Sequence, residues 1–120
     1  MDKDKITEEL NAIEKSIGKN LPNAYKKFLS EEVGDKEVYE INNNRGDVIY
    51  IYNYQDILER NETYAIQDFV PNYFLIGQDG DIGYFICLDK HNDKIYSLDL
   101  GALGSLDMDE EATDLYDLRA

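Results

Sequence analysis

The sequence predicts an α+β protein, with helices first and a mostly antiparallel sheet after them. Three observations carry that reading. Ile6, Leu10, Ile13 and Ile17 recur at spacings of four, three and four, which is one stripe of an amphipathic helix. From Lys36 onward the pattern changes to short runs of β-branched and aromatic residues bounded by turn residues, as strands require. Residues 73–89 then set two apolar, aromatic-rich runs on either side of Gln78-Asp79-Gly80-Asp81, which reads as a buried hairpin.

Taken in order, the first helix ends at Gly18, because glycine commonly follows the last apolar position of a helix. Leu21-Pro22 opens a second helix, since proline suits a first turn where its missing N–H costs nothing. Tyr25, Phe28, Leu29 and Val33 form its stripe, and Gly34 stops it. The two helices are short, and they pack on each other or jointly against a sheet. Residues 38–41 read as a short strand and 42–47 as a turn. Val48 to Tyr52 reads as a strand with Ile49 and Ile51 on one face and Tyr50 and Tyr52 on the other. Residues 56–69 hold one or two helical turns that must end before Pro71. Strands are expected over 73–77, 83–88 and 94–99, joined as a meander. Asp79-Gly80 supplies the positive φ of the tight turn, and Gly77 and Gly83 mark a bulge or a close backbone approach. Met108, Ala112, Leu115 and Leu118 have roughly helical spacing, so 107–118 is expected to be an acidic helix.

With 120 residues, the chain is expected to form a single domain spanning 1–120. Its formal net charge is −14. The charge is uneven: residues 1–40 carry 10 acids and 7 bases, net −3, and residues 41–120 carry 16 acids and 5 bases, net −11. Such a field disfavours nucleic acid and anionic membranes and favours a basic partner. No apolar run approaches a membrane span. The one cysteine, Cys87, lies mid-strand among apolar residues, where packing is its expected role. A cytoplasmic protein, monomeric or weakly dimeric, is the expectation.

Constellations for chemistry are sparse. One histidine, His91, and one cysteine cannot build a zinc site. A nucleophilic triad or dyad would need His91 with a buried partner. Asp79-Gly80-Asp81 and the acids of 107–111 lack the spacing of a calcium loop. Walker and dinucleotide glycine patterns are missing. Arg45-Gly46-Asp47 matches an adhesion tripeptide by chance. No enzyme activity, cofactor or metal is therefore expected. What remains is an acidic surface with ten tyrosines and no tryptophan. Tyrosine is favoured at interfaces because it offers large area at little entropy cost.

The order of elements resembles a known family. Ile17-Gly18, Leu21-Pro22, Tyr25-Lys26-Lys27-Phe28-Leu29 and Gly34 are similar to the opening signature of the SUKH superfamily. Glu59-Arg60, the run Phe74 to Gly80 followed by Gly83, and Ile95-Tyr96-Ser97-Leu98-Asp99 are similar to its later marks. The superfamily includes relatives of a fungal regulator of cell-wall glucan synthesis. The resemblance implies two N-terminal helices packed on a mostly antiparallel sheet. It also implies an immunity protein that binds and neutralises a toxin, often a nuclease; the alternative is a regulatory or scaffold protein of cell-wall or envelope synthesis. Charge points the same way, because a nuclease binds phosphates with Lys and Arg and an acidic inhibitor complements them. The residues expected to contact the toxin are Asp47, Tyr50, Tyr52, Glu59, Glu62, Asp79 and Asp81.

Overall fold

Six strands follow one another across a single antiparallel sheet in the order in which they occur in the chain. They are β1 (Glu40–Asn42), β2 (Val48–Ile51), β3 (Tyr73–Asp79), β4 (Ile82–Cys87), β5 (Ile95–Asp99) and β6 (Asp109–Ala112). The helices are α1 (Lys3–Ile17), α2 (Asn23–Phe28), α3 (Ile57–Thr63), α4 (Ile66–Phe69) and α5 (Leu115–Arg119), and α2 runs on through a π-helical turn at Leu29–Val33. The structure, a computed structural model, describes residues 3–34, 36, 39–42, 46–88, 93–102 and 108–119.

Both faces of the sheet are covered. On one, Ile49, Ile51, Phe74, Ile76, Tyr84 and Ile86 meet the stripes of α1 and α2 and the apolar side of α5. That core joins Ile6 to Leu118, so it draws on almost the whole chain. Phe28 touches Tyr116 edge to face, with ring centroids 5.1 Å apart, which ties α2 to α5. On the other face, Leu75, Phe85, Cys87, Tyr96 and Leu98 pack against Ile66 and Val70 from around α4. This second layer explains why β3 and β4 read as continuous apolar runs: a strand buried on both faces has no polar side to alternate with.

Local chemistry fixes the connections. Glu14 latches α1 to α2, accepting from the Leu21 N–H at 2.7 Å and from Lys26 Nζ at 3.2 Å. Asn53 starts α3 through a side-chain turn: its Oδ1 accepts from the N–H groups of Gln55 and Asp56, and its Nδ2 donates to the Lys36 carbonyl. Between Leu75 and Gly77 the register against β4 skips a residue. Gly77 is required there, because a Cβ would stand 2.3 Å from the Tyr50 carbonyl oxygen.

The strands expected over 48–52, 73–77, 83–88 and 94–99 are present to within two residues. Residue 38 of the strand expected at 38–41, residues 43–45 of the turn at 42–47, and residues 90–92 of the turn that holds His91 lie outside the described residues. The helix expected over 107–118 is corrected. Its first half is β6, in which Ser97 pairs with Asp109 and Tyr96 with Glu110. A helical stripe would put Met108 on the same side as Ala112, Leu115 and Leu118; instead Met108 packs against the second core and the other three lie in the first. Helix begins only at Leu115, where Asp114 accepts from the Asp117 N–H at 2.8 Å and Asp117 accepts from the Thr113 N–H at 3.0 Å. This reciprocal cap fixes the start.

Gly80 turns β3 into β4 at φ +57, with open space where a Cβ would stand. Gly80→Val is therefore expected to cost about 1–3 kcal/mol through backbone strain alone. Gly80→Asn, which tolerates this region, should cost less. Urea unfolding of both variants checks this; a valine variant as stable as the parent would contradict it.

Candidate partner-binding surface

Antiparallel pairing brings one end of five strands together. Tyr50 pairs with Gln78, Asp79 with Ile82, Ile82 with Asp99, and Ser97 with Asp109. Here Asp47, Asp79, Asp109 and Glu111 line one concavity of about 340 Å³, together with Ile82 and Tyr84. It opens on the face that carries α1 and α2, since Tyr84 belongs to that core. Asp81 and Asp99 are exposed beside it. Among the described residues of this end (46–51, 78–84, 96–102 and 108–112) there is no Lys or Arg. Bases gather elsewhere, as at Lys94, whose ammonium contacts Glu110 at 2.9 Å.

A second groove, of about 380 Å³, opens on the opposite face of β2 and β3. Tyr39, Tyr50, Ile51 and Tyr52 line it together with Asp56 and Arg60 of the α3 segment, Gln78 and Gly80. Tyr50 is 47% exposed. The Tyr52 hydroxyl donates to Gln78 Oε1, and Gln78 Nε2 donates to the Gly80 carbonyl at 3.0 Å. Burial, then the neighbouring Tyr64, raises the Tyr52 phenol well above its ordinary pKa, against the opposing pull of Arg60. Tyr52 is thus a neutral donor. The Arg60 guanidinium lies 5.7 Å from the centre of its ring.

The seven sequence-predicted residues do not form one patch. Asp47 and Asp79 share the acidic concavity. Tyr50 and Tyr52 share the groove on the other face. Asp81 is exposed in the turn between the two, and Glu59 and Glu62 are exposed on α3 but line neither. Most other tyrosines serve the cores: Tyr25, Tyr54, Tyr84 and Tyr96 are buried. Sequence reasoning missed Asp109 and Glu111, because a helix was expected where β6 points alternate side chains to one side. It also gave no contact role to Asp56, Arg60 or Gln78; the i,i+4 spacing of Asp56 and Arg60 was the available signal. Among the described residues no three His, Cys, Asp or Glu side chains are placed to hold a metal ion. No helix there is long and apolar enough to cross a membrane.

Among the described residues, five helices and a six-stranded antiparallel sheet make an α+β fold with acids gathered at one end of the strands. The chain belongs to the SMI1 / KNR4 family (SUKH-1), whose family pattern matches residues 7–118. It is 35% identical over 109 residues to the uncharacterized protein YnaB of Bacillus subtilis (strain 168), an alignment covering 90% of this chain and 66% of that protein.

Proposed function

We propose that this single-domain protein is an immunity protein, which binds a basic toxin and neutralises it by covering its cationic site. It acts by binding and not by catalysis, and the toxin class that best suits its charge is a nuclease. Membership of the SUKH family supports this reading. The observation that carries it is the convergence of Asp47, Asp79, Asp109 and Glu111 on one concavity at a strand end where the described residues include no Lys or Arg. A nuclease presents Lys and Arg to phosphate, and a desolvated acidic surface competes for the same groups. The acids also steer the encounter, since a field of one sign raises association rates well above those of neutral surfaces.

The test is co-expression with a toxin domain encoded beside this gene, where the neighbouring gene carries one. Restored growth and a stoichiometric complex are expected. Toxicity unrelieved at equal expression, with no complex on gel filtration, would overturn the immunity reading in favour of a regulatory scaffold.

A further inference from the structure

Arg60 is out of place on an acidic binding protein. Between Arg45 and Lys90 the chain holds eight acids and this one base. Its spacing offers a partner, because Asp56 lies one helical turn earlier, in the acid-first order that helices favour. The pair does not form. Among the described residues no carboxylate bridges to Arg60, and its interaction is with the Tyr52 ring, 5.7 Å from guanidinium to ring centre. A guanidinium stacked on an aromatic ring still presents N–H donors at its edge, in the fork that matches a carboxylate.

The platform beneath it is braced. The Tyr52 hydroxyl is bonded to Gln78, and Gln78 to the Gly80 carbonyl. Tyr50, two residues before Tyr52 on the same strand face, leaves its ring 47% exposed along the groove. The groove therefore joins an unpaired guanidinium edge to an exposed aromatic wall, and Arg and Tyr are the residue types that most often anchor interfaces.

We infer that this groove receives an acidic side chain, Asp or Glu, from the same partner that lays its basic surface on the acidic concavity. The inference rests on the proposed function and deepens it. The two hollows lie on opposite faces of the sheet, on either side of the β3–β4 turn: Gly80 lines one, Asp79 and Ile82 the other. A partner straddling the turn reaches both. The field of the whole protein attracts any basic surface, but Arg60 repels a surface that is basic throughout. Only a partner with a carboxylate at the matching position turns that repulsion into a bond. Arg60 is thus a specificity residue, working by a local penalty against wrong partners.

The experiment is binding kinetics of Arg60→Gln and Arg60→Lys against the neighbouring toxin domain, beside the parent protein. Two accounts predict opposite signs. If Arg60 takes a carboxylate, Arg60→Gln raises the dissociation rate by about tenfold or more with little change in association. Arg60→Lys then gives a smaller loss, because charge stays while the fork is lost. If Arg60 is a bystander, removing a positive charge from an acidic surface speeds association and leaves affinity equal or tighter; that result overturns the inference. Lack of binding by the parent protein would instead remove the proposed function itself. Thermal melting of each variant separates loss of fold from loss of contact.

Discussion

Asn61→Ala is expected to lower the stability of this protein by about 3 kcal/mol, because two buried backbone groups would lose their partners at once. The Asn61 side chain is fully buried. Its Nδ2 donates to the Leu75 carbonyl and to the Ile57 carbonyl, both at 2.9 Å. Its Oδ1 accepts from the Leu75 N–H at 2.7 Å and from Gln67 Nε2 at 3.2 Å. One amide thus satisfies both backbone groups of Leu75. The last contact from the β2 side is the Tyr52 N–H to the Ile76 carbonyl, and Asn61 stands in for a strand beyond it. Alanine would leave a donor and an acceptor dry, each costing about 1–3 kcal/mol, partly offset where water enters. Urea unfolding followed by circular dichroism measures the loss. A change below about 1 kcal/mol would mean that water replaces the amide without cost. The effect reaches the groove as well, since Asn61 holds α3 on β3 and Arg60 is its neighbour.

The second large effect concerns association. Asp79→Lys with Asp109→Lys moves the net charge from −14 to −10, two units for each exchange. It places both new charges in the acidic concavity. Association with a basic partner is expected to slow by about 100-fold at low salt. The parent rate should itself fall steeply with salt, because the screening length drops from about 30 Å at 0.01 M to about 8 Å at physiological ionic strength. A control fixes the location: Glu8 and Glu9 are exposed on α1, and reversing both gives the same net charge. That pair should slow association by less than about tenfold, since neither residue lines the concavity. Equal effects from the two pairs would reduce the mechanism to net charge, and salt-independent association would remove steering altogether.

Much of the fold was legible because it rests on short-range chemistry. Tyr, Phe and Ile runs bounded by Asp79-Gly80 announce β3 and β4 whatever surrounds them, and Gly18 and Gly34 stop helices through their own positive φ. The family resemblance came from the same places. β6 was illegible because its acids suit a helix start as well as they suit a charged edge strand. The choice is made by β5, which offers Tyr96 and Ser97 an edge to fill, and by the Asp114–Asp117 cap, which starts the helix eight residues later than expected. The candidate surface was only half legible for a related reason. Asp47, Asp79 and Asp109 are far apart in sequence, and strand register alone brings them together. Nothing in the order of residues marks Arg60 as stacked on Tyr52 in preference to pairing with Asp56.

Because neighbours in the sheet are neighbours in the chain, the search during folding is mostly local. The β3–β4 hairpin closes a two-residue turn, and the longer connection from β2 to β3 carries α3 and α4, so the entropy of closure grows only slowly from step to step. The sheet can grow outward from the β3–β4 hairpin, one strand at a time. The packing of the early helices is not local, above all at the seam between α2 and α5, where Phe28 meets Tyr116. That contact joins residues 88 positions apart, so it is a step that awaits synthesis of α5. Until that helix leaves the ribosome, the apolar side of α2 has the sheet but not its last cover.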